Sequence, residues 1–153
     1  MKYLLTAVML TFLFAIQSNA QIRVGAGAVL GIAPGGLMTG INISGVYVGE
    51  GDMDFGAEYT YWLEDQASMA VDLNAYYLMR VIGSDSDIYI SPLGGINLYK
   101  SGGFSEGIKD GLGLGINLGV SFKKEVGDRL FILEPKIILS GEQDMVLKAG
   151  FVF

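Results

Sequence analysis

Hydrophobic and polar residues alternate along most of this chain with a period of two, the spacing of a β-strand that buries one face. The pattern is clearest from Met53 to Leu63, where Met53, Phe55, Ala57, Tyr59, Tyr61 and Leu63 oppose Asp54, Gly56, Glu58, Thr60 and Trp62. It recurs from Met69 to Val81, with Leu73, Ala75 and Tyr77 set against Asp72, Asn74 and Arg80. From Ile22 to Ala33 the even positions through Ile32 are all apolar, and Arg23, Gly25, Gly27 and Gly31 take the other face. Five further segments alternate in the same way: Gly40 to Val48, Ile88 to Lys100, Gly111 to Phe122, Arg129 to Ser140 and Asp144 to Phe153. Turn chemistry separates them, as at Pro34-Gly35-Gly36 and Gly49-Glu50-Gly51-Asp52. Lys123 to Asp128 reads as a charged turn, and Ser101 to Asp110 is the longest connection. The pattern predicts eight antiparallel strands joined up and down.

Which face is inside decides what kind of barrel this is. In a soluble barrel the apolar faces would line a cavity and the polar faces would meet water. Here several polar faces are mostly glycine with one or two charges, a poor cover for a soluble surface. Glycines fit better in a narrow lumen, because eight strands leave room only for packed side chains. The apolar faces are long and uniform, as a lipid-facing band about 25 Å tall requires. Only helices and closed barrels satisfy every backbone group in a bilayer, and no apolar run after Ile16 approaches a helical span. The expected fold is an all-β, eight-stranded, up-and-down transmembrane barrel with both termini periplasmic.

The first residues carry a different signal. Lys2 gives a short positive start, an apolar run follows from Tyr3 to Ile16, and Gln17-Ser18-Asn19-Ala20 offers small residues for cleavage. Residues 1–20 therefore read as a cleaved signal peptide and residues 21–153 as one domain. The chain has no cysteine, which excludes a disulfide framework and a lipidated cysteine. Its formal net charge is −6, and no basic stripe suggests nucleic acid.

Aromatic placement is informative. Tyr47, Phe55, Tyr77, Phe122, Phe131 and Phe153 lie on the expected lipid face near the even-numbered turns or the C-terminus, forming one interfacial girdle. Pro92 and Pro135 fall inside strands of a barrel with no free edge. Each should mark a bulge or a locally broken ladder.

The alternating glycine-rich strands, Glu134-Pro135-Lys136 and the terminal Ala149-Gly150-Phe151-Val152-Phe153 resemble the small outer-membrane β-barrel family, the porin-like OmpA/OmpX type. The likeness covers the whole chain after residue 20. It implies a bacterial outer-membrane location, contact with outer-membrane lipid and a final strand read by the barrel-assembly machinery through Leu147, Ala149, Phe151 and Phe153. Members that bind cells tend to have long surface loops, whereas only 101–110 has length here, which counts against an adhesin.

Candidate chemistry is sparse. Histidine is absent, which removes the commonest general base and metal ligand. Glu58 and Asp72 face inward on adjacent strands and lie opposite each other if the hairpin turns around Asp65. They could serve as an acid/base pair. An unpaired buried charge is costly, however, and Arg23, Arg80, Lys136 and Lys148 share the inner face. Glu134 and Lys148 would meet across the last hairpin. Arg23, Glu58, Asp72, Arg80, Glu134, Lys136 and Lys148 are therefore expected to form a lumenal charge network.

The expected protein is non-enzymatic and monomeric, with a plugged polar lumen, no cofactor or metal, and a role in envelope structure or surface interaction. A narrow gated channel for ions or small solutes is the alternative. A barrel lipid hydrolase or acyltransferase working through carboxylates and serine is a third reading.

Overall fold

The computed structural model describes residues 21–33, 36–49, 51–63, 69–80, 88–100, 112–139 and 145–153. They form β1 (Gln21–Ala33), β2 (Gly36–Val48), β3 (Met53–Trp62), β4 (Met69–Tyr77), β5 (Met79–Arg80), β6 (Ile88–Lys100), β7 (Leu112–Val126), β8 (Arg129–Leu139) and β9 (Met145–Val152). Among the described residues no helix is long and apolar enough to cross a membrane. Residues 1–20 and the long connection 101–110 lie outside the described residues.

All neighbouring strands are antiparallel, and the sheet closes through β1 with β9 at one seam and β4 with β6. The short β5 continues β4: Met69 pairs with Lys100 and Met79 with Ile90 in one unbroken register. β4 and β5 are thus two pieces of one stave, and the barrel is eight-stranded as the alternation predicts.

Proline explains the interruption. Tyr77 and Leu78 are the positions where pairing with β6 lapses, opposite Pro92 and Ser91. Proline has no N–H to give the ladder. The same happens at Pro135, where pairing of β7 with β8 stops after Gly119–Lys136 and resumes at Phe122–Leu133. Of the two alternatives, broken ladder is the one realised. Neither proline inserts a residue, so the alternation of faces survives both.

Two boundaries differ from expectation, and the first is that β2 begins at Gly36, four residues before Gly40. Second, Lys123 to Asp128 is not a turn: β7 runs on to Val126, and the chain reverses at Gly127 and Asp128. Gly127 has φ +66°, a left-handed conformation suited to tight hairpins. The charged run misled because period two continues through it. Ser121 and Lys123 point inward, while Phe122, Lys124 and Val126 point outward.

The outer wall is apolar: Leu37, Ile43, Phe55, Leu114 and Ile116 are each more than half exposed. The interior holds most of the buried polar and charged groups, including Asp54, Glu58, Asp72, Glu134 and Lys136. This is the reverse of a water-soluble protein. A small apolar cluster of Val29, Trp62, Ile138 and Val146, with Met38 against it, occupies the lumen away from the tight turns. Trp62 fits because Gly31 and Gly40 face it: a Cβ on Gly31 would come within 3.0 Å of the indole, and one on Gly40 within 3.1 Å.

Lumenal charge network

Alternation puts Glu58 of β3 and Asp72 of β4 on the inner face, and the register sets them directly opposite each other. Glu58 accepts from five side chains on four strands: Lys148 at 2.6 Å, Tyr76 at 2.7 Å, Asn74 at 3.3 Å, Asn42 at 3.4 Å and Lys136 at 3.5 Å. Asp72 accepts from Asn97 at 2.6 Å, Lys136 at 2.7 Å and Asn117 at 2.9 Å. Lys136 therefore bridges both carboxylates, and Lys148 reaches Glu134 at 3.2 Å as well as Glu58. Donors from opposite walls of the barrel converge on the same acids, so the network spans the lumen.

Of the expected network, Glu58, Asp72, Glu134, Lys136 and Lys148 are brought together and buried. Arg23 is corrected: it is exposed, joins none of these pairs, and lines the lumenal mouth at the tight-turn end. It lies near the start of β1, where water can solvate a guanidinium, so nothing draws it inward. The side chain of Arg80 lies outside the described residues.

Several members were not singled out by charge arithmetic. Lys123 pairs with Asp54 at 3.3 Å and stands 4.8 Å over the Tyr76 ring. Asn42, Asn74, Asn97 and Asn117 supply amide donors to the two central acids. The usable signal was their parity: each asparagine sits on the glycine-and-charge face of its strand. Asn42 also donates to Thr60 at 3.0 Å, and Asn117 to Asn74 at 3.0 Å.

A cavity of about 180 Å³ lies between the network and the tight-turn end, lined among others by Asp54, Tyr76, Lys123, Glu134 and Lys148. Arg23 and Glu125 stand at its exposed rim. The lumen thus has three zones along its length: a polar vestibule, a layer of bridged charges and an apolar plug around Trp62. Among the described residues no group of metal-binding type, at least three acids together, is assembled.

On the outside, Tyr47 is the register partner of Phe55, and Phe131 meets Phe151 edge to face with centroids 5.4 Å apart. Tyr77 and Phe122 are exposed on the same apolar wall. Leu147, Ala149, Phe151 and Phe153 share the outward face of β9 and its end, and the Arg129 guanidinium lies 5.1 Å from the Phe153 ring centroid.

An apolar exterior, a polar interior and a closed sheet define a membrane-spanning β-barrel of small diameter. No family model and no curated protein matches the sequence. Solved structures do match. The chain is similar to the Yersinia pestis outer membrane protein Ail in a phospholipid bilayer nanodisc (TM-score 0.58, 9% identity, 88% of this chain and 99% of that one). It is similar to the N-terminal β-barrel domain of Pseudomonas aeruginosa OprF (0.56, 17%, 88% and 100%) and to Neisserial surface protein A (0.54, 15%, 88% and 97%). The fold is that of the small eight-stranded outer-membrane barrels of OmpA/OmpX type.

Proposed function

We propose that this protein is a non-enzymatic bacterial outer-membrane barrel whose lumen is plugged and whose role is envelope structure or surface interaction. The observation that carries this reading is the Glu58–Lys136–Asp72 bridge, joined by Lys148, which crosses the lumen with side chains from opposite walls. Trp62 and its apolar neighbours close the lumen beyond it. The acids there are fully engaged with cations and amides, which suits a structural role and leaves neither carboxylate free as a base. Residues 1–20 serve as a cleaved export signal, lipid contacts the apolar wall, and the outward residues of β9 guide assembly. The loop at 101–110 is the candidate surface contact.

The experiment is single-channel recording of the refolded protein in planar bilayers. The plugged barrel gives no stable openings. The vestibule of about 180 Å³ is the observation that favours a gated channel instead. Steady openings in the unmodified protein, lost on changing Lys148 or Glu58, would replace the plugged reading with that one.

A further inference from the structure

Among the described buried side chains of the lumen, negative charge exceeds positive. Among the described side chains four buried carboxylates, Asp54, Glu58, Asp72 and Glu134, face three buried ammonium groups, Lys123, Lys136 and Lys148. Every lysine is already committed: Lys123 to Asp54, Lys136 to Asp72 and Glu58, Lys148 to Glu58 and Glu134. Arg23 and Glu125 at the rim are both exposed, where water screens their charges.

The shortage falls on Glu134. It is fully buried, and its one ion-pair partner among the described residues, Lys148 at 3.2 Å, is not aligned for a hydrogen bond to either of its oxygens. Glu58, by contrast, accepts from five side chains. Ser121 lies opposite Glu134 at the point where the β7–β8 ladder lapses, and Ser91 is the register partner of Ser121. Both serines are fully buried, and neither hydroxyl has a partner.

The chemistry of the unpartnered atoms is one-sided. They are Asp54 Oδ1, Ser91 Oγ, Asn117 Oδ1, Ser121 Oγ and both Glu134 carboxylate oxygens, and no buried side-chain nitrogen is among them. A buried polar atom without a partner is costly and calls for an explanation. Water alone would serve the oxygens but would leave the charge uncompensated. Oxygen-only ligation suits a hard cation, and the single excess negative charge among the described buried side chains suits a monovalent one.

We infer that the lumen binds one monovalent alkali cation, ligated by Glu134, Ser121 and Ser91 and reached through the vestibule that Glu134 lines. The cation completes the charge of the plug. This inference deepens the closed-lumen reading and rests on it.

The test uses the full mature barrel in detergent micelles, with thermal unfolding followed by circular dichroism. Sodium, potassium and choline chloride are compared at one ionic strength. The midpoint rises and saturates with sodium or potassium and does not with choline, and Glu134→Gln removes the difference. Ser121→Ala, which leaves every charge in place, weakens the saturation and keeps the test alive if Glu134→Gln does not fold. Thallium soaked into crystals gives an anomalous peak beside Glu134.

Equal midpoints in all three salts would overturn the inference. So would an alkali-specific rise that persists in Glu134→Gln, or an infrared carboxylic-acid band lost in Glu134→Gln, which would show that a proton supplies the charge. Conductance separates the two readings: steady openings together with saturable stabilisation would remove the plug and leave the cation site.

Discussion

Glu58 and Asp72 stand opposite each other on β3 and β4, and the Lys136 ammonium from β8 bridges them at 3.5 Å and 2.7 Å. Two carboxylates this close would repel unless a cation lay between them. The lysine comes from a strand across the lumen, so the pair of acids ties two walls together.

Removing the cation from this bridge is expected to destabilise the barrel strongly. Lys136→Met leaves Asp72 in a desolvated site without the one ion-pair partner it has among the described residues. The cost of orphaning a buried charge is about 3–5 kcal/mol. Urea unfolding in lipid should show the loss, and the double variant Lys136→Met with Asp72→Asn should be less destabilised than the sum of the single variants.

The Asp54–Lys123 pair should behave as a separable unit. Asp54→Asn alone leaves a buried ammonium without its acid, whereas Asp54→Asn with Lys123→Met removes both charges. The double variant is expected to be the more stable of the two in urea. Comparable losses in both would show that the vestibule already solvates Lys123.

Trp62→Ala should cost about 3–5 kcal/mol, the range for deleting a large buried aromatic. Val29, Ile138 and Val146 cannot close the gap, since each is fixed to its own strand. Filling from the opposite side has the same sign: Gly40→Val would place a side chain against the indole, Val29 and the Tyr61 carbonyl. Both variants should lower the unfolding midpoint, read by heat-modifiable gel mobility.

Gly27 of β1 and Gly150 of β9 are register partners at the seam where the chain's two ends meet. A Cβ on Gly27 would come within 2.9 Å of the Gly150 backbone, and one on Gly150 within 2.8 Å of Gly27. Gly27→Val should therefore impair closure more than valine at outward Ala28, one residue away. The yield of folded, protease-resistant barrel after refolding measures the difference.

The period-two pattern determined strand number, which face of each strand is apolar, and hence the barrel and its polarity. Those properties are local: side chains alternate along any strand, so Met53 to Leu63 declares its two faces without reference to the rest. The pairing of Glu58 with Asp72 and of Glu134 with Lys148 was legible too, since a short hairpin fixes register. Contacts across the lumen were not. That Lys136 reaches β3 and β4, that Arg23 stays at the rim, and that Lys123 turns in towards Asp54 depend on how a closed, tilted sheet brings distant strands face to face. The zoning along the lumen, vestibule then charges then Trp62, likewise belongs to the tertiary structure. It is set by barrel shear, a relation among all the staves that no single stretch of sequence contains.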